Sequence, residues 1–120
     1  MSVSNILVVD DEPDLRFILR RILEAAGHVV TEERNGADAL DAVAVATPDL
    51  VVTDMMMPVM GGAELISRLR AEPGTAHIPI MAVSGDPQLA GGADVIVPKP
   101  FQKRDVLASV ERLLSLPGTR

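Results

Sequence analysis

The segment Ile6-Leu7-Val8-Val9-Asp10-Asp11 is the clearest indication of the fold, because an unbroken aliphatic run ends abruptly in two acids. Successive side chains point to opposite faces of a strand, so a run of this kind predicts a strand that is covered on both faces. A stripe of apolar residues at helical spacing follows, beginning near Pro13 and stopped by Gly27. A buried strand followed directly by an amphipathic helix is typical of the first unit of an α/β sheet.

Short apolar runs and amphipathic segments continue to alternate along the chain. We predict further strands at 29–31, 50–53, 78–83 and 95–97, and further helices at 37–46, 63–71 and 102–116. Strands that alternate with helices imply a parallel sheet with helices on both faces. The predicted fold class is therefore α/β, a doubly wound five-stranded parallel sheet.

The composition excludes several classes of function. The formal net charge is −6, and the only aromatic residues are 2 Phe, which opposes both nucleic-acid binding and base stacking. The chain has 0 Cys, so disulfide and thiolate chemistry are excluded and a reducing compartment is favoured. No apolar run approaches the ~18 residues that span a bilayer, and no export signal is visible. We expect a cytoplasmic protein with neither a membrane nor a nucleic acid as its partner.

Polar residues follow four of the five predicted strands. Asp10 and Asp11 follow the first strand, Asp54 the third, Ser84 the fourth and Lys99 the fifth. In sheets of this type ligands bind outside the carboxyl ends of the strands, so we expect these side chains to converge. Carboxylates held close together repel one another unless a cation binds, and a compact set of hard oxygen ligands favours Mg²⁺.

Five elements of the sequence, taken in order, resemble the receiver domain of two-component response regulators. They are Val8-Val9-Asp10-Asp11-Glu12-Pro13, Asp54-Met55-Met56-Met57-Pro58 with Gly62, Ser84-Gly85, Gly92-Ala93-Asp94, and Lys99-Pro100-Phe101. The resemblance covers essentially the whole chain and implies a flavodoxin-like sheet with strand order 2-1-3-4-5. It implies one receiver domain over residues 1–120 with no effector domain attached, although a receiver cut from a longer regulator would have the same sequence.

The resemblance also implies a role for each site residue. Asp54 would accept a phosphoryl group from a sensor histidine kinase or a phosphotransfer protein. Lys99 would pair with one phosphoryl oxygen, and Ser84 would hydrogen-bond another when the switch closes. The peptide bond between Lys99 and Pro100 is expected to be cis. Mg²⁺ would be held by three carboxylates and one carbonyl, those of Asp10, Asp11, Asp54 and the Met56 backbone.

By the same resemblance the chain is a signalling switch rather than an enzyme. It would catalyse only its own phosphorylation and dephosphorylation, and it would act on a downstream protein partner by contact. Two alternatives remain open. One is a pseudo-receiver, an interaction module that is never phosphorylated. The other is an Mg²⁺-dependent phosphohydrolase with an aspartyl nucleophile, although such enzymes place their acids as Asp-x-Asp after the first strand.

Two features depart from the usual receiver pattern. Only residues 85–93 connect the fourth and fifth strands, and they are rich in glycine. We therefore predict that the helix of this crossover, the fourth in the family, is one turn at most or absent. Ile96 stands where receivers usually carry Tyr or Phe, so we hypothesise that output uses rearrangement of the 85–93 loop.

Simpler explanations exist for several of these residues. Asp10 and Asp11 could cap the first helix, and Ser84 could begin an ordinary turn. His28 and His77 precede strands, at the end of the sheet away from the acids, and we expect both to be surface residues.

Overall fold

The computed structural model of the chain describes residues 3–86, 88 and 91–115. Within this part the elements are β1 (Asn5–Val9), α1 (Pro13–Ala25), β2 (Val29–Glu33), α2 (Gly36–Val45), β3 (Leu50–Asp54), α3 (Gly62–Ala71), β4 (Ile80–Ser84), β5 (Val95–Pro98) and α4 (Lys103–Leu114). The strands form a five-stranded sheet in the order β2-β1-β3-β4-β5, and all neighbouring strands are parallel. The predicted fold class and strand order are confirmed.

The two faces of the sheet form separate layers of the core. Ile6 and Val8 of β1 pack with buried residues of α1 and α4, whereas Leu7 and Val9 pack with residues of α2 and α3. Alternation along one strand therefore supplies both layers, which explains why its sequence is uniformly aliphatic. None of the helices in the described ranges is long and apolar enough to cross a bilayer.

Element boundaries differ from the predictions by a few residues. α1 ends at Ala25, and Gly27 adopts a φ of 97°, a backbone conformation that favours glycine. The predicted start of the fourth strand at residue 78 is wrong, because the Ile78 amide donates to Thr75 in a turn and β4 begins at Ile80. α4 ends at Leu114, and the predicted end at residue 116 lies outside the described residues.

The crossover from β4 to β5 is short. Asp86 and Gly91, on either side of its middle, both lie outside any helix. Residues 87, 89 and 90 themselves lie outside the described part of the chain. The prediction of one helical turn at most falls on these residues and stays a prediction, and the next helix that the structure describes, α4, follows β5.

Asp94 anchors the far end of this crossover. Its carboxylate accepts a hydrogen bond from the Ile80 amide at 2.7 Å, and its own amide donates to the Ile80 carbonyl at 2.8 Å. Arg70 pairs with the same carboxylate at 2.7 Å and also donates to the carbonyls of Ala76 and Ile78. The end of α3, the start of β4 and the start of β5 are thus joined through a single ion pair.

Candidate functional site

Three carboxylates meet at the carboxyl edge of the sheet. β1 and β3 are neighbours with Val9 opposite Thr53, so the residues that follow, Asp10 and Asp54, also lie side by side. One oxygen from each of Asp10, Asp11 and Asp54 lies within 4.8 Å of the others. Asp10 is 1% exposed and Asp54 7% exposed, whereas Asp11 is open to solvent. The structure therefore brings together all three acids that the sequence predicted.

Lys99 supplies the positive charge of this cluster. Its Nζ lies 3.1 Å from Oδ1 of Asp54 and 3.9 Å from Oδ2 of Asp10. The Lys99 amide donates to the Ser84 carbonyl, and the predicted cis peptide bond to Pro100 is present. One ammonium thus faces three carboxylates, and the site has an excess of negative charge.

This imbalance is visible in the pKa of Asp10. Burial raises the pKa of this carboxyl above its usual range, and the hydrogen bond that Oδ1 accepts from the Glu12 amide partly opposes the effect. The charge of Asp54 also raises the pKa of Asp10, while Lys99 lowers it. A second positive charge at this site would therefore be stabilised.

The backbone around Asp54 is held by residues whose roles could not be assigned from the sequence. The buried hydroxyl of Thr53 donates to the Asp54 carbonyl at 2.7 Å, and the Met55 amide donates to Oδ1 of Asp54 at 2.8 Å. A Cβ at Gly62 would lie 2.3 Å from the Asp54 backbone oxygen, so α3 can start this close to β3 only with glycine there. Of these residues Met55 and Gly62 belong to the resemblance, whereas Thr53 had no sequence signal.

Ser84 lies at the end of β4 but has other partners in this structure. It is 2% exposed, and its Oγ donates to the Asp86 carbonyl at 2.9 Å and accepts from the Asp86 amide at 3.0 Å. The hydroxyl is thus bonded to the start of the crossover rather than to the acids. Met56 is 70% exposed, and coordination of Mg²⁺ by its backbone carbonyl stays a prediction.

Residues outside the cluster agree with the predictions in part. His77 is exposed, as expected, and it lies far from the acids in the α3–β4 connection. His28 is half-buried rather than a surface residue, and its buried Nδ1 has no hydrogen-bond partner in the described part of the chain. Ile96 on the edge strand β5 is 38% exposed.

The donor set fits Mg²⁺. The candidate ligand atoms are carboxylate oxygens, which are the hard donors that Mg²⁺ prefers, and two of the three carboxylates are buried against a defined backbone. The open side at Asp11 leaves room for the waters or phosphate oxygens that this ion keeps in its shell. The cluster also lies outside the carboxyl ends of parallel strands, where open α/β sheets bind their ligands.

Comparisons with known proteins agree with this class. The family described as response regulator receiver domain matches residues 6–111. The chain is 33% identical over 117 residues to chemotaxis protein CheY of Halobacterium salinarum, covering 93% of this chain and 98% of that protein. It is 36% identical over 118 residues to sensor histidine kinase TmoS of Ectopseudomonas mendocina, covering 92% of this chain and 12% of TmoS. The solved structure of response regulator TrrA of Thermotoga maritima with Mg²⁺-BeF has a TM-score of 0.85 and 28% identity, covering 92% and 99% of the two chains.

The chain therefore belongs to the response regulator receiver family, a family of two-component signalling. It spans nearly the whole length of CheY but only a small part of TmoS. Homologues that consist almost entirely of this domain, such as CheY, are signalling proteins.

Proposed function

We propose that the chain is a phosphorylation-dependent switch in which Asp54 accepts a phosphoryl group with the help of Mg²⁺. The observation that supports this most directly is the position of Lys99, whose Nζ lies 3.1 Å from Asp54 in a cluster with Asp10 and Asp11. Phosphoryl transfer needs positioning and charge neutralisation more than covalent chemistry, and this cluster offers both.

The proposed step is a transfer between a histidine and Asp54. A carboxylate oxygen of Asp54 bonds to phosphorus while the P–N bond of a phosphohistidine breaks, and the departing imidazole keeps the electron pair and takes up a proton. Lys99 neutralises charge on the transferred group. Mg²⁺, when bound by Asp10, Asp11, Asp54 and the Met56 carbonyl, would neutralise further charge. Hydrolysis of the acylphosphate returns the switch to its starting state.

The surface beside the site favours a protein as phosphodonor. A groove of about 500 Å³ lies between α1 and the residues after β5, lined by Leu15, Ile18, Lys99, Pro100 and Phe101. Lys99 contributes to both this groove and the acidic cluster, so a helix seated there would place its own side chains beside Asp54. Ile18, which lines this groove, is 44% exposed and offers apolar surface for such a contact. A sensor histidine kinase or a phosphotransfer protein is the expected donor.

Ser84 is the proposed link between phosphorylation and output. To reach a phosphoryl oxygen on Asp54, its hydroxyl must leave the carbonyl of Asp86. The new group adds negative charge and acceptor oxygens, which can draw a hydroxyl towards it. Output then reaches a downstream protein partner through the changed surface of the 85–93 loop.

The experiment is the intact mass of the protein after incubation with acetyl phosphate, with and without Mg²⁺. We expect one added phosphoryl group that depends on Mg²⁺ and is absent from Asp54→Asn. The matched control Asp41→Asn, at an exposed position on α2, should be modified like the wild type. No addition, together with thermal stability that is indifferent to Mg²⁺, would favour an interaction module that is never phosphorylated. Steady release of phosphate from a small ester would instead favour the phosphohydrolase.

A further inference from the structure

Arg16 connects the acidic cluster to a network on the neighbouring strand. It lies on α1, and its Nη1 donates to the backbone carbonyl of Asp10 at 2.6 Å. Its Nε donates to Oε1 of Glu32 on β2 at 3.1 Å. The side chain is only 19% exposed, so both contacts are shielded from competing water. One guanidinium therefore bridges the end of β1 and the carboxyl half of β2.

The carbonyl that Arg16 binds belongs to the peptide unit between Asp10 and Asp11. The orientation of this unit sets the direction in which both carboxylates leave the backbone, because the two residues flank it. The Asp10 amide is already fixed by the Glu33 carbonyl at 3.1 Å, at the end of the β1–β2 ladder. Among the described residues, Arg16 is the donor to the Asp10 carbonyl, which strand pairing leaves without a partner.

Glu32 holds Arg16 in this position. Its second oxygen accepts from Arg20, one turn further along α1, and Arg20 also pairs with Glu24. The hydrogen bond from Arg20, more than that from Arg16, lowers the pKa of Glu32, so the carboxylate is ionised at neutral pH. Arg16 and Arg20 thus share one acceptor, but only Arg16 also reaches the acidic cluster. This difference makes Arg20 the matched control.

We propose that Arg16 is a positioning residue for the metal site, which it serves by fixing the peptide unit that carries Asp10 and Asp11. The proposal rests on the Mg²⁺ site of the proposed function. Groups that orient metal ligands without touching the ion typically contribute ~10–100-fold to metal affinity. Arg16 has the geometry of such a group, since it donates a strong charge-assisted hydrogen bond to the backbone between two ligands.

The test compares Mg²⁺ binding by isothermal titration calorimetry in the wild type, Arg16→Met and Arg20→Met, with the unfolding free energy of each measured in EDTA. Both variants lose a contact with Glu32 and should lose stability to a similar extent. We expect the Mg²⁺ dissociation constant to rise ~10–100-fold in Arg16→Met and to stay within about twofold in Arg20→Met. A merely structural role would lower stability in both variants and leave both affinities unchanged.

Two results would overturn the proposal: equal Mg²⁺ affinity in Arg16→Met and the wild type, or an equal loss of affinity in Arg20→Met. If Arg16→Met does not fold, Arg16→Gln decides, because glutamine keeps a polar side chain but lacks the guanidinium and the length that the contacts with the Asp10 carbonyl and Glu32 need. A dissociation constant at least about threefold above wild type then supports the proposal, and an unchanged one overturns it. Failure of the wild type itself to bind Mg²⁺ would contradict the metal site of the proposed function instead.

Discussion

Replacing Gly62 with alanine should damage the fold at the point where it supports Asp54. The added Cβ would lie 2.3 Å from the Asp54 backbone oxygen and 2.9 Å from the Cα of Met55. Both are backbone atoms, so the strain cannot be relieved by turning a side chain. The Gly62 amide also donates to the Met55 carbonyl at 3.0 Å, so moving α3 away from β3 would sacrifice this hydrogen bond.

The expected loss of stability follows from three contributions. Overpacking a close contact costs about 1–3 kcal/mol, and a weakened hydrogen bond costs about 1 kcal/mol. Alanine also reduces the conformational entropy of the unfolded chain, which stabilises the folded state by about 0.4–1 kcal/mol. The free energy of unfolding should therefore fall by about 1–4 kcal/mol, with a central value of about 2.5 kcal/mol. For a chain of 120 residues, the entropy of unfolding is about 0.25 kcal/mol/K, so Tm should fall by roughly 10 °C.

The assay is urea and thermal unfolding followed by far-UV circular dichroism, with Gly74→Ala as the control. Gly74 has no atom within 4 Å of an added Cβ and no positive φ, so its replacement should be neutral or slightly stabilising. If Gly62→Ala unfolds within about 0.5 kcal/mol of Gly74→Ala, the close approach of α3 to β3 does not constrain the site as we argue.

Three further predictions concern the same edge of the sheet. In EDTA, the contribution of Asp10 to stability should fall as pH rises from its unfolded-state pKa, about 3.9, through its raised folded-state pKa, because the folded protein binds more protons at this carboxyl than the unfolded chain. Asp10→Asn should remove this fall and be the more stable protein at neutral pH in urea unfolding, and a less stable variant would contradict the argument. Mg²⁺ at about 100 times its dissociation constant should stabilise the wild type by about 2.7 kcal/mol in thermal unfolding. Asp11→Asn should abolish this stabilisation. Equal stabilisation of both proteins would exclude Asp11 as a ligand. Val59→Gly should raise the free energy of unfolding by about 1 kcal/mol. Val59 has a φ of 69° in a tight turn closed by the Met60 amide, and the residue is 82% exposed, so little packing is lost. An unchanged free energy of unfolding would mean that the turn is not strained.

The sequence was informative where one local pattern fixes the position of a residue. An aliphatic run buried on both faces must end at the sheet edge, so Asp10 and Asp54 could be assigned to that edge from the sequence alone. The strand order came only from the resemblance, because hydrophobic periodicity does not specify which strands are neighbours. The short crossover was visible from its length and its glycines alone.

Features that depend on side-chain reach could not be predicted in this way. The contact between Arg16 and the Asp10 carbonyl joins a helix to a strand end, and nothing in the spacing separates Arg16 from Arg20. The half-buried His28 was missed because a residue before a strand can face solvent or the end of the core. The positive φ of Val59 was missed because β-branched residues rarely adopt it.

The ion pair between Asp94 and Arg70 would limit how far a rearrangement that starts at Ser84 extends along the β4–β5 connection. In the proposed switch, Ser84 would release Asp86 to reach a phosphoryl group on Asp54, whereas Asp94 is tied to Ile80 and Arg70 at the other end of the same connection. The β4–β5 connection is thus held at its β5 end by the contacts of Asp94, whereas the contact of Ser84 with Asp86 at its β4 end is the one that would break. If the proposed function holds, we therefore expect the phosphorylated and unphosphorylated forms to differ at the rim of the sheet while β5 and α4 keep their places. A partner that distinguishes the two forms would read that rim.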